Sequence, residues 1–367
     1  MKITRRKIIG GSLAAAPLAA ATAALFGEGE AAAQAGLSAE GLAEGGEIRL
    51  PRGYTRLAEP FRFAGNRLNI RGDGPYASTV QFEPEAPGAA AIELDTPGRG
   101  GQAQSSIAGL GFHSTNSVDK TAIRLPNVAN VNIERIGIAG RAWPGAGSIG
   151  IHTAGRQFVR IRDCDLVCAR PIVMSANPAW PTIGADFFQI SSCELATSLP
   201  RGACVEVEDG VVAYNLSVRD TCMARGADGF RFVDRSSRGA SCNLEFQNCR
   251  TEQGESPSGW SYDLRSARQS FQSILFQNVR CDGARNGIRI SGGHRITLIN
   301  VDLDQRDGRV ALDIEFNPAT VLTIIGGFSQ VGGTMRLARA RKVSGLDSQV
   351  RGGAFGPNEI WVYDPTA

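Results

Sequence analysis

Apolar and polar positions alternate along this chain in short runs that keep returning. Val131-Asn-Ile133-Glu-Arg-Ile136-Gly-Ile138 is followed by Val159-Arg-Ile161-Arg-Asp-Cys164-Asp-Leu166, and then by Phe188-Gln-Ile190-Ser-Ser-Cys193-Glu-Leu195. The pattern returns as Leu216-Ser-Val218, Leu244-Glu-Phe246, Ile274-Leu-Phe276 and Ile296-Thr-Leu298. The central apolar residues fall at 133, 161, 190, 218, 246, 276 and 298, in steps of 22 to 30 residues. A fixed period of that size is the signature of a solenoid, in which each repeat buries its apolar row only against its neighbours.

A second run precedes the first in each repeat: Ala91-Ile-Glu-Leu94, Ala122-Ile-Arg-Leu125, Gly150-Ile-His-Thr153, Cys204-Val-Glu-Val207, Gly229-Phe-Arg-Phe232, Ser261-Tyr-Asp-Leu264, Gly287-Ile-Arg-Ile290 and Ala311-Leu-Asp-Ile314. Period-two alternation turns one row inward and the next outward. With a third short step such as Cys164-Asp-Leu166, each repeat carries three short strands. The reading is an all-β chain, a right-handed parallel β-helix of about nine to eleven coils stacked roughly 4.8 Å apart. A propeller at this period needs four antiparallel strands per blade, which the pattern lacks. The bend after the second strand reads Asp163, Ser192, Asp220, Asn248, Asn278 and Asn300. Short polar side chains tolerate left-handed backbone there and bond neighbouring backbone. Stacked in register, they form a structural ladder.

The chain resembles the pectate-lyase-like superfamily of right-handed parallel β-helices. Gly46-Glu-Ile-Arg-Leu-Pro51-Arg-Gly53-Tyr54 and Leu68-Asn-Ile-Arg-Gly72-Asp73-Gly74 are similar to that superfamily's first coils, and the similarity runs from about residue 46 to at least 330. It implies the fold rather than one reaction, because members include polysaccharide lyases, glycoside hydrolases, epimerases and proteins without a known reaction. Asp228-Gly229 is similar to the point where polygalacturonases carry catalytic aspartates. That family's paired aspartates, Gly-His-Gly and Arg-Ile-Lys are absent, as is the Arg-Pro-Arg of the lyases.

Thr4-Arg5-Arg6-Lys7-Ile8-Ile9, an Ala-rich apolar run and Ala33-Gln-Ala35 read as a twin-arginine export signal over residues 1–35. The apolar run is shorter than the roughly 20 residues of a membrane span. Residues 36–46 are expected to cap the first coil and 47–367 to form the β-helix, in a protein delivered to the periplasm or secreted. The whole chain carries 39 basic and 36 acidic residues. Cleavage removes four and two of these, leaving the mature chain near neutrality. Nucleic acid and, after cleavage, membrane are therefore not expected partners. The eight cysteines include Cys164, Cys193 and Cys249 in a slot held elsewhere by Ile136, Val279 and Val301, so they read as buried thiols. No spacing resembles a metal site, and no cofactor is expected unless a lyase reaction calls for calcium.

Candidate chemistry lies on the outward row of the recurring strand: Glu93, Arg124, His152, Val173, Glu206, Arg231, Asp263, Arg289, Asp313 and Arg336. Two readings are open for this alternation. It is either a ladder of cross-coil ion pairs or a saccharide groove. In the second, Glu206, Asp228 and Asp263 are the catalytic carboxylates, with residues one coil apart near 5 Å and two coils apart near 9.6 Å. Arg231 and Arg289 then bind substrate, or act as base in a lyase, and Trp143 and Trp260 offer faces for sugar rings, with Trp180 in a similar loop. His294 reads as a solvated turn residue. The functional expectation is an exported protein that cleaves an acidic polysaccharide; the alternative is a non-catalytic glycan-binding or envelope structural protein.

Overall fold

The computed structural model describes residues 45–351 apart from short segments, among them 96–103, 178–185 and 236–241. All belong to one compact unit, Gln34–Ala367. The expected export signal, most of the cap and Trp180 lie outside the described residues.

The chain is a parallel β-solenoid. One sheet has eleven strands, from Phe61–Ala64 to Thr334–Ala338, each hydrogen-bonded in parallel to the strand one coil away. The second sheet has twenty strands, because each coil contributes two consecutive segments that wrap a bend, as in Gln157–Arg162 and Asp165–Cys168. Helix is nearly absent among the described residues, the exception being a 3-10 turn at Gly140–Ala142.

The inward row holds the structure together. Ile92, Ile123, Ile151, Ile172, Val205, Phe230, Tyr262, Ile288 and Leu312 are paired in register coil by coil, and all are fully buried. Each such side chain contributes about 1.5–3 kcal/mol by leaving water. β-branched residues suit the pleat, and aromatic residues pack together inside, where Phe246 and Phe276 stack at 4.8 Å with Tyr262 edge-on to both. The eight cysteines are free, and all but the half-buried Cys222 are buried.

The bend residues behave as their type requires. Asp163, Ser192, Asp220, Asn248, Asn278 and Asn300 all have φ between 49° and 54°. The Nδ2 of Asn248, Asn278 and Asn300 each donates to the side-chain oxygen one coil earlier, at 2.9, 3.0 and 3.1 Å. The structure moves His294 out of the expected turn into the long strand Gly293–Gln305.

Candidate active-site cleft

The outward row stacks as its alternation suggests. Glu206 pairs in register with Arg231, Arg231 with Asp263, Asp263 with Arg289, Arg289 with Asp313, and Asp313 with Arg336. Because the strands are parallel and these residues pair in register, one charge per coil becomes a column along the solenoid. A cleft of about 540 Å³ opens over that column. Glu206, Asp228, Arg231, Trp260, Asp263 and Arg289 all line it. Six of the seven residues singled out in the sequence are thus brought together.

Trp143 is the exception. It is 1% exposed, packs edge-on to Phe112 at 5.9 Å and donates its indole N–H to the Ile149 carbonyl. The 3-10 turn before it folds the loop back onto the coil, so the indole belongs to the core and offers no face to a sugar. Trp260 does reach the cleft, as its floor: it is 5% exposed and lies under the Arg289 guanidinium, 4.5 Å from its ring centre.

The carboxylates fall into different environments. Asp263 accepts two hydrogen bonds from Arg289, at 2.9 and 2.7 Å, and two from Arg265, both at 2.9 Å. Both oxygens are saturated, so the geometry makes Asp263 an anchor for two arginines rather than a proton-transfer group. Glu206 receives Arg170 on Oε2 at 3.0 Å and stands 3.9 Å from Arg231 through Oε1. Asp228 opens the strand Asp228–Asp234. Its Oδ1 accepts the Trp260 backbone N–H at 2.7 Å, and its Oδ2 makes only a 3.3 Å charge contact with Arg231 Nε that misses hydrogen-bond alignment. Burial pushes the Asp228 carboxyl above the usual aspartate range, against the opposing pull of Arg231 and the Trp260 N–H.

Arg170, Arg265 and Glu208 were not among the sequence candidates. Glu208 and Arg265 stand two residues beyond Glu206 and Asp263, where period two places a second outward row. Arg170 Nη2 reaches Glu208 at 2.6 Å, Glu208 accepts Ser175 Oγ at 2.6 Å, and that hydroxyl meets His152 Nε2 at 2.7 Å. Burial holds the His152 imidazole neutral, with its pKa lowered to about 4. At the cleft's edge, the exposed guanidiniums of Arg201 and Arg235 form no salt bridge among the described residues, while the Arg235 backbone N–H donates to Asp209 Oδ1 at 2.7 Å. The carboxylates lining the cleft are engaged, so its uncommitted charge is positive.

No group of three His, Cys, Asp or Glu among the described residues is placed to hold a metal ion. No protein-family model matches the chain, and no curated protein matches it in sequence. The β-solenoid architecture is compatible with polysaccharide-active proteins, and the local chemistry must carry any narrower reading.

Proposed function

We propose that the protein is an exported polysaccharide-active β-helix that hydrolyses an acidic glycan in this cleft. Asp228 is the proton donor and Glu206 the second carboxylate. The observation that carries the reading is Asp228: a buried, cleft-lining carboxyl, pushed toward its neutral form, with one oxygen fixed by Trp260 N–H and the other 3.3 Å from Arg231 Nε. A proton donor at a glycosidic oxygen needs that combination of raised pKa and fixed geometry. Arg231 touches both carboxylates, at 3.3 and 3.9 Å, and this bridge keeps them within about 10 Å, in reach of the roughly 6.5–9.5 Å used when water attacks directly. The unpaired Arg201 and Arg235 favour an anionic sugar such as a uronate.

Lyase chemistry asks an arginine to remove a proton, and Arg231 is instead engaged as an ion-pair bridge between Asp228 and Glu206. The twin-arginine-like segment supports delivery outside the cytoplasm, where such polymers are met. One observation favours a second reading, non-catalytic glycan binding: the saturation of Asp263, which leaves a largely ion-paired floor.

The test is incubation of residues 36–367 with uronate-rich and neutral polysaccharides, with and without calcium. New reducing ends that disappear in Asp228→Asn support the hydrolase. Unsaturated, ultraviolet-absorbing product overturns it in favour of a lyase. Binding without any product leaves the second reading.

A further inference from the structure

Another cleft, of about 500 Å³, lies on the twenty-stranded sheet, built by the coils between Leu68–Arg71 and Gln157–Arg162. Its floor is two outward rows in register. One runs Asn69, Ser106 and Asn132; the other runs Arg71, Ala108, Glu134 and Arg162. Glu134, the one acidic residue lining it among the described residues, is taken by Arg162 at 2.7 Å. Arg71 and Arg135 line the same cleft, are exposed, and have no acidic partner among the described residues. The cleft therefore presents two uncommitted guanidiniums beside a floor of side-chain amides and a hydroxyl.

Arg135 is held there against its own backbone preference. It occupies the bend slot in register with Gly109 before it and Asp163 after it, the slot filled in later coils by Ser192, Asp220, Asn248, Asn278 and Asn300. Its φ is 52°, a left-handed value that Gly, Asn and Asp adopt readily and that costs a long side chain about 1–3 kcal/mol. Nothing in the ladder requires arginine, and an asparagine there would extend the amide stack. The cation is thus present at a site where the fold prefers a short polar residue.

An aromatic pair, Phe187 exposed and Phe158 half-buried, lies on the last of these coils and the one after it. Phe158 and Phe187 stack at 5.1 Å with their planes 2° apart, Phe187 is 46% exposed, and both have left-handed φ, 54° and 53°. Phe158 stands on the strand Gln157–Arg162, four residues before Arg162, which lines the cleft. Phenyl faces suit the C–H faces of sugars, guanidiniums suit carboxylates, and amides suit hydroxyls.

We propose that this face is a second, non-catalytic binding site for an acidic polysaccharide, with Arg71 and Arg135 contacting uronate carboxylates and the Phe158–Phe187 pair stacking on a neighbouring sugar. The site goes beyond the cleft over Asp228, since the two lie on different sheets of the solenoid. A polymer held here is retained near the cleft between encounters, which raises its effective concentration there.

The experiment measures binding of polygalacturonate and of a neutral glucan to residues 36–367 at low salt, by affinity electrophoresis and calorimetry. Arg71→Ala/Arg135→Asn should weaken polygalacturonate binding by at least about fivefold, an effect that shrinks as salt rises. Phe187→Ser should also weaken it. Arg135→Asn alone is expected to keep or raise the melting temperature, so lost binding is not lost folding. A separate variant of the first cleft, Arg201→Ala/Arg235→Ala, should retain binding at this face. Unchanged affinity in Arg71→Ala/Arg135→Asn overturns the proposal, as does absence of polygalacturonate binding by the unaltered protein. Failure of the hydrolase reading would show as absent cleavage with this binding intact.

Discussion

The Oδ1 of Asp228 accepts the backbone N–H of Trp260 at 2.7 Å, across one coil of the solenoid. That bond leaves the other carboxyl oxygen beside Arg231 Nε, at 3.3 Å, and burial raises the pKa of the group. Asp228→Asn preserves an oxygen that can accept the same N–H, so the coil should keep its geometry. If the carboxyl is the proton donor, hydrolysis should fall by about 10²–10⁴-fold, with substrate affinity little changed. The check is a rate of reducing-end release beside an unchanged circular dichroism spectrum. A second check is stability against pH. A carboxyl whose folded pKa is raised loses stability as pH climbs from the unfolded pKa through the folded one. The variant lacks this loss, so its melting temperature relative to wild type should improve over that window.

Glu83 has the opposite sign. Its carboxylate accepts the backbone N–H groups of Thr115 and Asn116, at 2.6 and 2.9 Å, and the hydroxyls of Thr115 and Ser114, both at 3.0 Å. These bonds outweigh its partial burial and hold its pKa down at about 2. A lowered carboxyl contributes stability that is complete above the unfolded pKa, near 4.3, and is lost as pH falls toward the folded value. Glu83→Gln should therefore melt below wild type at neutral pH, with the gap closing between about pH 5 and 2. A gap that stays constant through that range would show that Glu83 does not act through its charge.

The fate of the sequence reading follows from which interactions are local. The column from Glu206 to Arg336 was legible because period two sets the face and equal spacing sets the register. The left-handed bends at Asp163 through Asn300 were legible because few residue types accept that backbone. Trp143 was misread because its position before a strand says nothing about the loop's direction, which the Gly140–Ala142 turn and the Phe112 contact decide. The double clamp on Asp263 was hidden for a related reason. Arg265 is an obvious neighbour in sequence, yet whether it points along the row or away depends on rotamers that no pattern encodes. The second cleft was in plain view as an arginine interrupting a run of short bend residues. It carried no signal until the register showed that Arg135 and Arg71 share a face.

Burial governs the thiols. Cys168 and Cys281 have pKa values pushed up to about 12 by loss of solvent, and Cys204 to about 11. The thiolate is the reactive form, so these groups should resist a water-soluble thiol reagent at neutral pH in the folded protein. All eight cysteines should react after unfolding in denaturant, and melting should not depend on a reductant, because all eight are unpaired. Fewer than eight reactive thiols in the unfolded, unreduced chain would reveal a disulfide.

Arg285 supplies the most demanding test of the interior. Its side chain is fully buried, and its guanidinium donates to the carbonyls of Glu252 at 2.9 Å, Arg225 at 3.2 Å, Met223 at 3.4 Å and Ala227 at 3.5 Å. The Glu252 carbonyl also accepts the Arg225 backbone N–H at 3.1 Å, so one cation ties together backbone carbonyls of two successive coils. Ala227 immediately precedes Asp228, which ties this clamp to the position of the proposed proton donor. Space for it comes from Gly254, where a Cβ would meet Arg285 Nε at 2.4 Å. Arg285→Met should remove the cation's bonds to these carbonyls and cost about 3–5 kcal/mol. Gly254→Ala should destabilise through the clash while leaving every donor in place. If the clamp sets Asp228, Gly254→Ala should also lower the rate of hydrolysis at temperatures where the protein is fully folded. Equal rates in the two proteins would confine Arg285 to stability alone.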